Sequence, residues 1–391
     1  ESLFTILGIG AQQSMKVLTV DITAAYLECK LPPDDDVYMW IPKDVIPFLL
    51  KADPNAKMFI TKDGKLMVKL KKALYGTVQA SKLWYEKLIL VLRNHGCIMH
   101  PADGCVFVKT EDENQIIIAF HVDDLLIMYS NRHMADKLLQ HLRNSFANIT
   151  VNEGEKQSYL GMVVEQCENN FAVSMKNYED SITKDIIADK RVNSPAADDL
   201  FELPESTLLS KEAAELFHST VAKLLFLAKR TRIEILLSIS HLSGRVAAPT
   251  IDDQKKLDRV KKFLKNYPNK KIVFRKRNKL YLECSADASW GVHDDCTGRS
   301  GIIILLNGCC VGSWTSKQKI VTRNSTESEL VALTDAVSHV LWFRNWIKWY
   351  LKTDDLEPTP IYQDNQSVIS LQRTGTKTAH RTKHLGVRFF W

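Results

Sequence analysis

The sequence predicts a mixed α+β fold with more than one core. Three observations predict it. Apolar strand-length runs alternate with amphipathic helical stretches over the first 180 residues, a helical region follows to about residue 268, and a β-β-β-α-β-α order closes the chain. A chain of 391 residues is also too long for one ordinary core. The expected division is 1–180, 181–275 and 276–391, with a boundary near residue 275.

Residues 16–21 (KVLTVD) read as a buried strand ending in an acid, followed by a short helical segment through Tyr26 and Leu27. Residues 73–94 carry a strong amphipathic helix pattern, from Ala73 through Trp84, Leu88 and Leu92. Strands follow at Cys105 to Val108, Ile116 to Val122 and Leu125 to Tyr129, the last two separated by Asp123 and Asp124. The segment from Ser206 to about Pro268 is helical in pattern, with turn signals at Gly244 and Pro249. Strands at Lys279 to Ser285, Gly301 to Leu306 and Cys309 to Trp314 include an Asn307-Gly308 hairpin signal. A long helix from Thr326 to Leu351, the strand TPIYQD and the helix NQSVISLQR complete the pattern.

Composition excludes several classes. Hydrophobic residues make up 45% and charged residues 25%, ordinary values for a globular chain, and no apolar run reaches the ~18 residues a membrane span needs. The first twenty residues have no secretory-signal pattern, and the chain opens on Glu1, as a fragment of something larger would. The 8 cysteines show no CxxC pair, so they read as reduced thiols of a cytosolic or nuclear protein. Net charge is only +6, yet the stretch from Lys255 to Lys279 holds 12 Lys or Arg against one acid, Asp258. Leu257, Val260, Phe263, Leu264 and Tyr267 recur there at helical spacing. Lys255, Lys256, Arg259, Lys261, Lys262 and Lys265 then form a cationic face, either merely solvated or suited to a polyanion.

Adjacent acids inside IIIAFHVDDLLIMY repel each other between two apolar strands unless a cation neutralises them or the pair turns into solvent. Asp21 also ends a strand. Three carboxylates at neighbouring strand ends suit a pair of magnesium ions, the arrangement used for in-line phosphoryl transfer. Asp287 and Asp364 also end strands, and Glu329 stands at a helix start, where Thr326 with Glu329 fits a capping box.

These residues carry a family resemblance. VDITAAYLECKL, LKKALYGTVQASKLWYEKL, HVDDLLI, SYLGMVVEQ and FHSTVAKLLFLAKRTR resemble, in order, blocks of the copia-type retrotransposon Pol polyprotein, in its reverse transcriptase and RNase H region. SADASWGVHDD, RNSTESELVAL and IYQDNQSV resemble the RNase H acid motifs. The resemblance implies a right-hand polymerase palm with partial fingers and a helical thumb, then an α/β RNase H-like domain. It implies metal-binding, catalytic roles for Asp21, Asp123 and Asp124 and for Asp287, Glu329 and Asp364, each set with two Mg2+ (or Mn2+). It sets Tyr26 under the sugar of the incoming nucleotide, Tyr75, Gly76 and Gln79 along the same pocket, and His121 beside the primer terminus. The implied partners are RNA template, DNA primer, RNA:DNA hybrid and dNTPs, with protease and integrase regions of the same polyprotein. The implied location is a cytoplasmic virus-like particle, with nuclear entry of the product complex. A non-catalytic nucleic-acid-binding relic is the alternative reading.

The sequence departs from the family at several points. His121 stands in place of Tyr, Val78 and Ser81 replace Lys and Pro, Ser289 replaces an acid, and Leu385-Gly386 replaces an Ile-Asp pair. Lys16 is the only base before Asp21, so cationic fingers are expected upstream of the chain, and no acid follows Asp364, so a fourth RNase H acid is expected beyond Trp391 or lost.

Overall fold

A computed structural model describes residues 1–168, 170–187 and 191–374. Leu385 and Gly386 lie outside the described residues. In chain order the elements are α1 (Ser2–Gln12), β1 (Lys16–Ile22), β2 (Tyr38–Ile41), α2 (Ile46–Ala52), β3 (Leu66–Lys69), α3 (Ala80–Asn94), β4 (Ile98–His100), β5 (Asp103–Glu111), β6 (Asn114–His121), β7 (Asp124–Tyr129), α4 (Arg132–Ser145) and β8 (Ile149–Glu153). They continue with β9 (Lys156–Tyr159), β10 (Met162–Cys167), β11 (Asn170–Ser174), α5 (Lys176–Thr183), α6 (Lys211–Ala228), α7 (Leu236–Ser243), α8 (Ile251–Asn266), β12 (Ile272–Arg275), β13 (Leu282–Ser289), β14 (Arg299–Leu306), β15 (Cys309–Lys317), α9 (Ser325–Leu351), β16 (Ile361–Tyr362) and α10 (Gln366–Thr374). This is a mixed α+β architecture.

The first sheet has the order β4-β5-β6-β7-β1-β8. Its middle strands are apolar on both faces because both faces are covered, which is why IIIAF and LLIM read as continuous runs. Leu18, Val20, Ile118 and Ile127 face Trp84 and Leu88 of α3 and Leu138 and Leu142 of α4. Val17, Ile117, Leu126 and Met128 face the other way, into a core shared with α1, β10, β11 and the C-terminal sheet. That C-terminal sheet runs β15-β14-β13-β16, antiparallel except for the β13–β16 pair, with α9 against it.

Three local expectations need correction. The helix anticipated from residue 73 begins at Ala80. Gly76 sits at φ 95°, a region that favours glycine, and Thr77 donates its hydroxyl to Leu74 O at 2.8 Å, so the chain turns there first. The segment 181–275 does not stay helical, because β12 adds to β11 as the edge of the sheet β12-β11-β10-β9. The capping box of Thr326 with Glu329 does not form. Asn324 caps α9 by accepting from the Glu327 N–H at 3.0 Å, and Glu327 accepts from the Arg323 N–H at 2.9 Å.

Helix α1, to which the sequence reading assigned no role, is a wedge between sheets. A side chain at Gly8 would meet Leu306 at 2.8 Å, and one at Gly10 would meet Met128 at 2.0 Å. The bare backbone is what lets α1 lie against β14 and β7 together. The far end of α9 makes a second junction. Buried His100 stacks on Trp346 at 4.4 Å, and Tyr350 donates to Gln13 at 2.6 Å.

Two candidate carboxylate centres

The first centre lies at one end of the central strand pair. Strands β1 and β7 are antiparallel with Asp21 opposite Asp124, and β6 and β7 are joined by a tight turn with His121 opposite Asp124. The turn residues are Val122 and Asp123, so Asp124 belongs to β7 itself. Val122 adopts φ 58°, a left-handed conformation costing roughly 1–2 kcal/mol in a residue with a side chain. The surroundings hold it there. Trp84 donates its Nε1–H to Val122 O at 2.6 Å, and the Ile22 N–H donates to Asp123 O at 3.0 Å.

Asp21, Asp123 and Asp124 are all half-buried. Burial lifts the Asp124 carboxyl above the usual range, and the charges of Asp123 and Asp21 add to this while His121 opposes it. Tyr75 donates its hydroxyl to Asp123 Oδ2 at 3.2 Å, and the Tyr26 ring lies 4.4 Å from that of Tyr75. Tyr26 stands in the short 3-10 turn after β1, entered through Ala24 at φ 57°. Gly76 follows in the exposed turn beyond Tyr75, and half-buried Gln79 sits at the start of α3. The structure thus gathers the three aspartates with His121, Tyr26 and Tyr75 at the ends of the inner strands β1 and β7.

The second centre is tighter. One carboxylate oxygen from each of Asp287, Glu329 and Asp364 lies within 4.8 Å of the others. It is the one such cluster among the described residues, because Asp21, Asp123 and Asp124 are not drawn equally close. Asp287 comes from β13, Glu329 from the buried first turn of α9, and Asp364 from the segment just after β16. Gln363, which the sequence reading missed, donates to Glu329 Oε2 at 3.1 Å and to Ala286 O at 3.3 Å. Its adjacency to Asp364 was the only available signal. Burial raises the Glu329 carboxyl above its usual range, and Asp287 and Asp364 raise it further against the bonds from Gln363 and the Ala288 N–H.

The start of α9 is fixed to the sheet by Gln318, which donates to Ser300 Oγ at 3.1 Å and Ser328 O at 2.9 Å and accepts from Ser328 Oγ at 2.9 Å. Gly298 leaves room for this network. A Cβ there would lie 2.6 Å from Gln318 Oε1 and from Ser328 Oγ, and 2.8 Å from Ser289 O. Gly298→Ala is therefore expected to cost about 1–3 kcal/mol of stability, read as a lower denaturation midpoint at unchanged slope.

The basic residues divide. Lys255 and Lys265 of α8 are exposed, and Arg259, Lys261 and Lys262 are half-buried. Lys256 is not part of a cationic face. It is 8% exposed, donates to Glu202 O at 2.6 Å and pairs with Asp252 at 2.8 Å, because its position on α8 points inward and the acids offset its burial. Further along, Lys270, Lys271 and Lys279 pair with Glu234, Glu165 and Glu357. Among the described residues no helix is long and apolar enough to cross a membrane.

Residues 1–194 match the family model described as reverse transcriptase (RNA-dependent DNA polymerase). The whole chain is also similar to curated polyproteins. It is 29% identical to the retrovirus-related Pol polyprotein from transposon RE1 of Arabidopsis thaliana, over 99% of this chain and 25% of that protein. It is 27% identical to the corresponding polyprotein from transposon TNT 1-94 of Nicotiana tabacum, over 100% of this chain and 29% of that protein. With the transposon Ty1-MR1 Gag-Pol polyprotein of Saccharomyces cerevisiae it shares 22% identity over 99% of this chain and 22% of that protein. The first half of the chain is thus similar to the reverse transcriptase family, and its whole length is similar to Pol polyproteins of transposons. The chain spans about a quarter of the length of the relatives it matches.

Proposed function

We propose that the chain is an RNA-directed DNA polymerase with a second, RNase H-like nuclease centre. The observation that carries this is the pairing of Asp21 with Asp124 at the ends of β1 and β7, with Asp123 in the adjoining turn and Tyr26 and Tyr75 beside them. In this reading the first sheet with α3 and α4 is the palm, residues 23–79 contribute partial fingers, 181–275 form the thumb and connection, and 276–391 form the nuclease domain. The substrates are dNTPs, a DNA primer and an RNA template, and the nuclease takes the RNA strand of the hybrid. Lys255, Arg259, Lys261, Lys262 and Lys265 of α8 meet backbone phosphates. Protease and integrase regions of the same polyprotein are the partners, in a cytoplasmic virus-like particle whose product complex enters the nucleus.

Both acid sets fit Mg2+ or Mn2+. Their donors are hard carboxylate oxygens, and the raised Asp124 and Glu329 carboxyls mark buried negative charge that His121 at one centre and Gln363 at the other offset only in part. Two bound cations per centre would supply activation of the attacking oxygen and neutralisation of the leaving one. Asp21, Asp123 and Asp124 would hold them at the polymerase centre, and Asp287, Glu329 and Asp364 at the other. His121 flanks the primer terminus, while Gly76 and Gln79 border the nucleotide pocket. Tyr26 fills the space under the sugar, and Tyr75 fixes Asp123 through its hydroxyl.

Extension of a DNA primer on an RNA template, measured with both deoxynucleotides and ribonucleotides, tests this reading. Tyr26→Val is expected to raise ribonucleotide use relative to deoxynucleotide use by roughly tenfold or more in the ratio of kcat/KM values. Equal losses for both nucleotides would make Tyr26 a packing residue. Hybrid binding without any extension would match the non-catalytic relic instead.

A further inference from the structure

Outside the two acid centres, a buried cation among the described residues has no counter-charge. Arg299, the first residue of β14, is 7% exposed. Its Nη1 donates to Ser240 Oγ at 3.1 Å and Thr315 Oγ1 at 3.2 Å, and its guanidinium lies 5.6 Å from the Phe201 ring centre. Its Nε meets no acceptor, and no charged group among the described residues offsets its burial. The nearby acids are engaged elsewhere. Asp295 pairs with Lys317 at 2.7 Å and accepts from Thr297, and Asp253 is taken by Arg245 and Thr250.

Two histidines share the neighbourhood, each 5.2 Å from the Phe201 ring, and the Nε2 atoms of His241 and His293 are also without partners. Leaving a buried charged donor unmatched costs several kcal/mol, and of these nitrogens Arg299 Nε is the one that carries that charge.

The space beside Arg299 has a largely apolar wall, formed by Ile233, Leu236, Leu237, Ile303 and Trp314, and Arg299 is its one cation. A cavity of about 280 Å³ lies between α7 and the sheet, and its polar lining residues on the sheet side include Ser285, Ser289, Ser313 and Thr315. Gly301 leaves its floor open, since a Cβ there would meet only Asp287 O, at 3.9 Å. Asp287 pairs with Gly301 and Ser289 pairs with Arg299, so Asp287 and Arg299 are diagonal neighbours on one sheet face, about 7–8 Å apart. No carboxylate other than that of Asp287 lines this cavity.

We propose that this cavity is a phosphate-binding subsite in which Arg299, with the hydroxyls of Thr315 and Ser289, receives a phosphate group one strand away from Asp287. The subsite stands on the surroundings of Arg299 alone. Assigning its phosphate to the hybrid substrate rests on the nuclease reading, whereas a free phosphate monoester would reach the same groups.

The test uses the full chain, with Arg299→Met as the main variant and the exposed Ser289→Ala as a variant that leaves the core untouched. Melting is recorded in inorganic phosphate, in a nucleoside 5′-monophosphate and in chloride of matched ionic strength. Binding of a short RNA:DNA hybrid is recorded in calcium, so that affinity is read apart from cleavage. The native chain is expected to melt higher in phosphate than in chloride, and both variants are expected to lose that difference. Arg299→Met is expected to melt no lower than the native chain in chloride, since it removes an uncompensated buried charge. It is also expected to bind hybrid roughly tenfold more weakly, the loss of one charge-assisted pair.

Retention of the phosphate effect by the variants, or a melting point several degrees lower with unchanged affinities, overturns the proposal and makes Arg299 a structural residue. A lost phosphate effect with unchanged hybrid affinity keeps the subsite and assigns it to free monoesters. The nuclease reading fails separately, through cleavage that survives Asp287→Asn.

Discussion

Asp123→Asn is expected to reduce primer extension by at least about 10²–10³-fold, a loss of roughly 3–4 kcal/mol of transition-state stabilisation, while hybrid binding and the melting temperature stay near native values. Asp123 owes its position to backbone contacts. Trp84 holds Val122 O, and the Ile22 N–H holds Asp123 O. The asparagine carbonyl still accepts the Tyr75 hydroxyl, so what changes is the charge, which a divalent cation needs and the fold does not. Single-turnover extension on an RNA template, with circular dichroism melting as the control, separates the two effects. Extension at an undiminished rate would remove the sheet-end aspartates from the chemistry.

Glu329→Gln should act with the opposite sign on stability and activity. In the native chain without divalent ions, burial and the charges of Asp287 and Asp364 disfavour the ionised Glu329, so neutralising it stabilises the fold. The amide still accepts from Gln363. Metal reverses the order, because a ligand that binds only the folded state adds about 2.7 kcal/mol at a hundred times its dissociation constant. The native chain is therefore expected to gain melting temperature on magnesium titration, and the variant to start higher and gain less. Hybrid cleavage should fall about 10²-fold or more, with primer extension retained. A variant that melts lower than the native chain without metal would show that Glu329 is held by favourable contacts and is no ligand.

Much of this organisation was legible because it rests on local pattern. The strands around IIIAF and LLIM, the hairpin at Asn307-Gly308 and the long α9 follow from periodicity and turn chemistry. The sheet-end aspartates stand out because carboxylates beside apolar strands are costly, whereas Asp287, Glu329 and Asp364 are grouped in sequence only by motif resemblance. What was not legible depends on contacts remote in sequence. Lys256 lies four residues before Val260 and seven before Phe263, on the apolar face of α8, but that spacing does not show the Glu202 carbonyl that receives its ammonium. The start of α3 turned on the left-handed Gly76, which helical periodicity does not register. The orphaned Arg299 becomes visible only when β14, β15 and α7 are assembled around it.

The wedge formed by α1 also sets an order of events during synthesis. Its glycines are shaped for Leu306 as much as for Met128, and Leu306 is translated roughly 300 residues after Gly8, an interval of about 15–60 s at ordinary elongation rates. Throughout that time Ile6, Leu7 and Ile9, which the finished fold buries, have only part of their cover. The chain thus carries an apolar helix as an unfinished joint until the last sheet is made. A nascent chain stopped before β14 would be the species most in need of a chaperone.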